Sequence, residues 1–307
     1  MNFELDADQD AILGAVGTLL SRHAGVERLR ELGGDRPAYD GDLDGHLDSA
    51  GFADIAEPGA GNRLEAALVQ EAIAMSLGSV ASAYRLLVLP SIPTPIDGPV
   101  AVIPAGHSGP VRFAADASTI VVIGDHDVRL VDAVETTSKQ TYTRLGWPAG
   151  TITDLPYGKV VADVRPSEVR AWVNVALAVE LVGAMRFALD LSVGYVIDRE
   201  QFGRAIGSFQ AVQHGLAECA VALEGARWMT LEAAWSGDLT AASLALTHAL
   251  DATELVFHRT HQYCGAIGFT QEYDLHLATM RLPALRAEAL AHERPTAASV
   301  SQIWGVV

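Results

Sequence analysis

From Val169 to Asp198 the sequence offers no polar face. Trp172, Val175, Leu177, Val179, Leu181, Val182, Met185, Phe187, Leu189 and Val193 fall on all sides of a helix of about 30 residues. A helix apolar all round has to be enclosed by other elements, within a bundle or at a subunit interface. Glu180, Arg186 and Asp190 interrupt the run, so the sequence predicts no membrane span, which needs about 20 apolar residues. Pro166-Ser167 precede it, with Ser167 as the expected cap. Helical spacing then returns over Phe209 to Trp235, Thr240 to Tyr263 and Tyr273 to His292, which together with the first run suggests a bundle of four.

The chain before this bundle has two textures. From Asp6 to Leu89 it is helical, with Ile12, Leu13, Val16, Leu19 and Leu20 recurring at helix spacing, as do Leu64, Ala67, Leu68 and Ile73. Gly33-Gly34, Gly51 and the run Pro58-Gly59-Ala60-Gly61 punctuate it. From Pro90 to Pro166, Pro and Gly separate short β-branched runs. Thr119-Ile120-Val121-Val122-Ile123 and Val128-Arg129-Leu130-Val131 flank a turn at Gly124-Asp125. The expectation is an α+β, mostly α chain with helical residues 1–89, a small β domain at 90–166 and a helical bundle at 167–307.

Composition limits the partners. Half of the residues are hydrophobic and 19% are charged, enough for a large core. The net charge of −17 repels phosphate backbones and anionic lipid, so neither nucleic acid nor membrane insertion is expected. Cys219 and Cys264 are far apart in sequence and read as reduced thiols rather than a disulfide framework or zinc site. With the acidic opening Met1-Asn2-Phe3-Glu4-Leu5-Asp6, which is unlike an export signal, this points to a cytoplasmic protein.

Two stretches at the bundle's junctions carry the chemistry. One runs from Arg199 through Gln201, Phe202, Gly203, Ile206 and Phe209 to Gln210; the other runs from Gln262 through Gly265, Ala266 and Gly268 to Phe269-Thr270. Arg199 offers a planar fork suited to a pyrophosphate, Phe202 an aromatic face and Ile206 an apolar wall. Gln210 and Gln262 can donate and accept hydrogen bonds, and backbone at Gly265 can approach a ligand closely. Read alone, each stretch is also an ordinary helix–turn–helix closed by glycines. Glu254, His258 and His261 have helical spacing that a metal could use, although polar or capping roles suit them better. Asp274 and His276 read as structural contacts, and Trp172, Met185 and Trp228 as core.

Together, in this order and each after a long helix, the stretches resemble the acyl-CoA dehydrogenase family. Its signatures are Arg-x-x-Phe-Gly-x-x-Ile-x-x-Phe-Gln and Gln-x-x-Gly-Gly-x-Gly-Phe-Thr. The resemblance covers about residues 167–282 well and the N-terminal helices loosely. It implies that Arg199, Gln201, Phe202, Ile206, Phe209, Gln210, Gln262, Gly265 and Ala266 hold the adenosine-diphosphate half of an FAD whose ring lies in a neighbouring subunit. Ala266 departs from the family's second glycine. The family's base is a glutamate in one of two places. Here the first reads Arg170-Ala171-Trp172-Val173-Asn174-Val175, and the second falls on Ala289 or Leu290. Glu288 lies beside that second slot, and a solvated surface glutamate is its simpler reading; no base is assignable. The ring-contacting Thr-Glu-Pro-x-x-Gly-Ser-Asp stretch has no counterpart at Val88 to Gly98. The resemblance therefore implies a subunit of a heteromeric acyl-CoA dehydrogenase, expected as α2β2. A second dehydrogenase-like subunit would supply the base and most of the acyl-CoA pocket, and a steroid side-chain CoA thioester is a candidate substrate. A self-sufficient homo-oligomer and a flavin-free assembly subunit are the alternatives.

Overall fold

A computed structural model describes residues 4–56, 62–141 and 146–292. The Pro58–Gly61 run and the expected bundle residues after His292 lie outside them. The N-terminal part holds five helices: α1 (Ala7–His23), α2 (Val26–Glu31), α3 (Gly41–Ser49), α4 (Arg63–Met75) and α5 (Ser82–Leu87). Reciprocal capping boxes start the two longest, Asp6 with Gln9 on α1 and Asn62 with Glu65 on α4.

Seven strands follow: β1 (Val100–Pro104), β2 (Pro110–Arg112), β3 (Thr119–Ile123), β4 (Val128–Asp132), β5 (Thr137–Gln140), β6 (Ala149–Asp154) and β7 (Lys159–Val160). They form a sheet of order β1-β3-β4-β7 and an antiparallel one of order β2-β6-β5. The expected hairpin is β3–β4, closed where the Gly124 N–H donates to the Asp127 carbonyl at 2.8 Å. The β1–β3 pair is parallel, because the intervening β2 belongs to the other sheet. Side chains of β1 and β3 alternate between two cores: Val100, Val102, Val121 and Ile123 face the helices, while Ala101, Ile103, Ile120 and Val122 face the second sheet.

The apolar run forms α6 (Pro166–Asp198). A short hairpin, β8 (Glu200–Gln201) and β9 (Arg204–Ala205), leads into α7 (Gln210–Ser236), α8 (Leu239–Cys264), α9 (Leu275–Thr279) and α10 (Arg281–Ala291). Three expectations are corrected. Ser167 does not cap α6: Pro166 takes its first turn and Arg165 precedes it, with no side-chain cap. By length and composition α6 could cross a membrane, and Glu180, Arg186 and Asp190 do not prevent that; 89% of its most apolar window is buried inside the protein. The last helix is two, broken at Met280. Pro283 has no N–H for the carbonyl of Thr279, so a helix begun at Leu275 cannot run through it unbroken.

One hydrophobic cluster runs from Val16 on α1 to Ala289 on α10, so the N-terminal helices and the bundle share a core. Helices α4 and α6 approach closely at Gly183, where a Cβ would stand 2.8 Å from the Met75 nitrogen and 2.9 Å from the Glu71 carbonyl oxygen. Gly237, at φ 64°, turns α7 back into α8. The start of α7 and the end of α8 therefore lie at the same end of the bundle, where the Tyr263 hydroxyl donates to the Ala211 carbonyl at 3.1 Å. The end of α6 joins them: Tyr273 donates to the Leu191 carbonyl at 2.8 Å, and the Cys264 thiol to the Ser192 hydroxyl at 3.5 Å.

Candidate functional site

The first candidate stretch is the β8–β9 hairpin and its continuation into α7. Phe202 and Gly203 form its tip with φ of 55° and 77°, positive at both central positions as in a type I′ turn. Glycine accepts that conformation freely, whereas a phenylalanine there is strained. The strained ring is also 91% exposed. Phe209 meets it edge-on at 6.1 Å, and the Arg204 guanidinium lies 4.0 Å over Phe209. The Ile206 N–H donates to the Arg199 carbonyl at 2.8 Å, fixing the hairpin to the end of α6. Gly207 lacks a Cβ for a packing reason, since one would stand 2.9 Å from the Val196 carbonyl oxygen. Arg199, Gln201 and Gln210 are exposed, and Arg199 has no acidic partner within ion-pair distance among the described residues.

The second stretch closes α8. Gly265 ends it at φ 63° and ψ −144°, a region open in practice to glycine alone, and its N–H donates to the His261 carbonyl. Space around Gly265 is open, so backbone conformation, rather than crowding within this chain, requires the glycine. Ala266 is exposed and has no positive φ, so its methyl is accommodated where the family has glycine. Gln262 is exposed beside Arg259.

Thus the two stretches share one end of the bundle, but they do not form one pocket in the single chain. Arg199 lines a shallow depression with Asp190, Tyr195, Asp198 and Tyr273; Gln262 lines another with Asp251, Glu254, His258 and Arg259. No cluster of three potential metal ligands occurs among the described residues. Glu254 pairs with Arg286 at 3.4 Å, and His261 is buried against the Thr279 hydroxyl at 3.0 Å. Asp274 pairs with Arg30 at 2.5 Å, and the His276 Nδ1 contacts the Tyr273 carbonyl at 2.8 Å. Both cysteines are free and buried.

Glu288 is not the solvated surface glutamate that its setting on an apparently polar helix suggests. Its side chain is 17% exposed and accepts from the Arg112 Nε at 2.9 Å and from the Tyr84 hydroxyl. Arg112 turns its other two nitrogens on Glu180, at 2.6 and 2.8 Å, a bidentate pair with both side chains almost wholly buried. Burial opposes the charge on Arg112, but the Glu180 and Glu288 carboxylates outweigh it and hold its pKa well up. Burial also raises Glu180 above the usual carboxylate range, against the pull of Arg112. Tyr84 is pushed up by burial and then by Glu288. Sequence reasoning noted Glu180 only as a break in an apolar run. A carboxylate on an all-round buried helix demands a buried cation, and that was the signal available.

Comparison with known proteins agrees with the fold. The family described as "Acyl-CoA dehydrogenase, C-terminal domain" matches residues 172–300. The chain is similar to acyl-CoA dehydrogenase IpdE2 of Mycolicibacterium smegmatis, 28% identical over 89% of this chain and 91% of that one. Residues 172–300 belong to that domain family. Among solved structures, this chain resembles a chain of the ChsE4-ChsE5 complex from Mycobacterium tuberculosis, with a TM-score of 0.82, 22% identity and all of both chains covered. It also resembles a chain of the Tcur3481-Tcur3483 steroid acyl-CoA dehydrogenase, with a TM-score of 0.79, 23% identity, and 97% of this chain and 99% of that one covered. At these identities the two structures speak for the acyl-CoA dehydrogenase fold alone.

Proposed function

We propose that this chain is the FAD-sharing subunit of a hetero-oligomeric acyl-CoA dehydrogenase, an α2β2 assembly that introduces an α,β double bond into an acyl-CoA thioester. One observation carries the reading: Glu288, the carboxylate beside the family's base position, is engaged by Arg112 and Tyr84, while the flavin-contact stretches stand exposed at the bundle end. The residues fit a dinucleotide. Arg199 is an exposed cation without an acidic partner among the described residues, and two exposed amides, Gln210 and Gln262, lie at the same end.

When bound, FAD supplies the acceptor for the hydride that leaves Cβ. Arg199 would hold its pyrophosphate, with Gln201, Gln210 and Gln262 available to hydrogen-bond around it. Phe202 and Phe209 give aromatic faces, Ile206 an apolar wall, and Gly265 and Ala266 a backbone edge. The separate depressions that hold Arg199 and Gln262 support a second subunit that bridges them. That partner contributes the carboxylate that removes the Cα proton. Similarity to chains of the ChsE4-ChsE5 complex and of a steroid acyl-CoA dehydrogenase supports a heteromer acting on a bulky, steroid-type acyl-CoA.

Arg199→Ala in the co-expressed complex tests this. Loss of a charge-assisted contact should weaken FAD binding by about 1.5–3 kcal/mol, read as lower flavin absorbance per complex of unchanged mass. Undiminished flavin content refutes the reading. A flavin-free assembly subunit would leave the complex without a flavin contact from this chain, and the same variant would then change nothing. The second reading is a self-sufficient homo-oligomer that uses Glu288, favoured by the position of that residue on a cavity wall. Glu288→Gln with unchanged turnover removes it.

A further inference from the structure

His261 stands behind the second flavin-contact stretch. It directly precedes Gln262 and is 6% exposed, so its ring is enclosed where the Gln262 side chain is open to solvent. The ring lies between two others, 4.6 Å from Phe257 on the preceding turn of α8 and 4.5 Å from Phe269. Phe269 ends the 3₁₀ turn Gly265–Phe269 and is 72% exposed, so the contact with His261 is what ties it to the bundle. The backbone of the turn closes on His261 as well. A Cβ at Gly268 would stand 3.5 Å from Nδ1, and the Gly265 N–H donates to the His261 carbonyl.

Hydrogen bonds fix its protonation. Thr279 on α9 donates its hydroxyl proton to the Leu275 carbonyl at 3.0 Å, so toward His261 Nε2, also at 3.0 Å, it can only accept. His261 therefore carries its proton on Nε2, and Nδ1 is a lone pair with no partner among the described residues. A second proton would place an N–H on Nδ1 with no acceptor to meet it, and would bury an unpaired charge. Burial accordingly lowers the imidazole below its ordinary value, and His258 acts in the same direction. His258 is exposed on the same helix, the buried Cys264 thiol donates to Ser192, and His276 on α9 is turned to the Tyr273 carbonyl. None of them offers Nδ1 an acceptor.

We infer that His261 is a positioning residue for the dinucleotide: a neutral wedge that locks the Gly265–Phe269 turn to α9 and presents the Gly265 and Ala266 backbone in the conformation the ligand meets. The inference rests on the flavin-sharing reading and adds a pH dependence to it. Acidification leaves the Arg199 charge intact but loosens the wedge, and so weakens flavin binding. Positive charge on His258, which shares the depression of Gln262, would favour a pyrophosphate and so has the opposite sign.

The test titrates FAD into the co-expressed complex stripped of flavin, from about pH 8 to about pH 5.5, a window that spans the ordinary imidazole value. The wild-type complex should bind FAD more weakly on acidification, by up to about tenfold per pH unit, the linkage of one proton. His261→Gln keeps an amide N–H for Thr279 but takes up no proton, so it should lose this part of the pH dependence. His261→Phe keeps a ring between Phe257 and Phe269 but loses the donor. At the alkaline end it should bind FAD about two- to tenfold more weakly, as one hydrogen bond allows, in a complex of unchanged mass. Should His261→Phe fail to assemble, His261→Gln decides alone. Arg199→Ala, run alongside, separates the two readings. If it loses flavin while His261→Gln keeps the wild-type pH dependence, or while His261→Phe binds as wild type does, the positioning role falls by itself. If Arg199→Ala keeps full affinity too, the flavin-sharing reading falls and takes this inference with it. A 15N spectrum of the full chain that shows neutral His261 protonated on Nδ1 overturns the inference without reference to flavin.

Discussion

Arg112 holds together groups from four distant parts of the chain. Its guanidinium faces Glu180 on α6 and Glu288 on α10, and Glu288 in turn accepts from Tyr84 on α5. Replacing it by methionine strips two carboxylates of their hydrogen-bonded cation in a low-dielectric space. Arg112→Met should therefore lower stability by about 3–5 kcal/mol, measured by urea unfolding. The double change Arg112→Met with Glu180→Leu should cost less than the single one, because it removes a charge that the single variant strands. His292 makes a pH-dependent contribution. Its folded pKa of about 4 lies below the unfolded value of 6.5, so above pH 6.5 neither state holds the proton and nothing is lost. As pH falls from 6.5 to about 4 the unfolded chain binds a proton that the fold excludes, and stability declines by on the order of 3 kcal/mol. Below that window both states are protonated and this contribution levels off. In denaturant titrations across the window, His292→Phe should remove this part of the slope. None of this network was legible locally: Glu288 is separated from Arg112 by 176 positions and from Tyr84 by 204, and only Glu180, stranded in an apolar run, hinted at it.

At the scale of elements, the long helix was legible because its apolar residues fall on every side, a pattern that few other structures tolerate. Its packing was not. Gly183 is one of the points where α4 and α6 touch, and nothing in its sequence neighbourhood distinguishes it from Gly194, which has open space around its Cβ position. Alanine raises helix propensity by up to about 1 kcal/mol at either site. At Gly183 the new methyl meets the backbone of α4, and overpacking of about 1–3 kcal/mol prevails. Thermal unfolding should thus show Gly183→Ala destabilised and Gly194→Ala stabilised. The break at Met280 was readable from Pro283, and the expectation of one continuous helix simply passed over that residue. The β8–β9 hairpin shows the opposite balance: its motif was plain in sequence, yet the strained φ of Phe202 is visible only in three dimensions. Strain held at an exposed aromatic is a mark of a residue kept for contact rather than for stability.

For the molecule as a whole, three textures in the sequence do not become three independent bodies. A single hydrophobic cluster joins the first helix to the last, Arg112 ties β2 to α6 and α10, and Arg281 ties α10 to the turn after α4. Unfolding should therefore be one event. Far-ultraviolet circular dichroism and tryptophan fluorescence should give coincident denaturation curves, and two separated midpoints would contradict this. The enclosure of α6 also has an order in time. Helices α4 and α5 precede it along the chain, but α7 and α8, which cover its other sides, are made only afterwards. During synthesis at about 5–20 residues per second, a segment apolar enough to pass for a bilayer helix waits several seconds for its remaining cover. Until α7 and α8 fold back over it, the emerging chain carries its most apolar segment only partly covered.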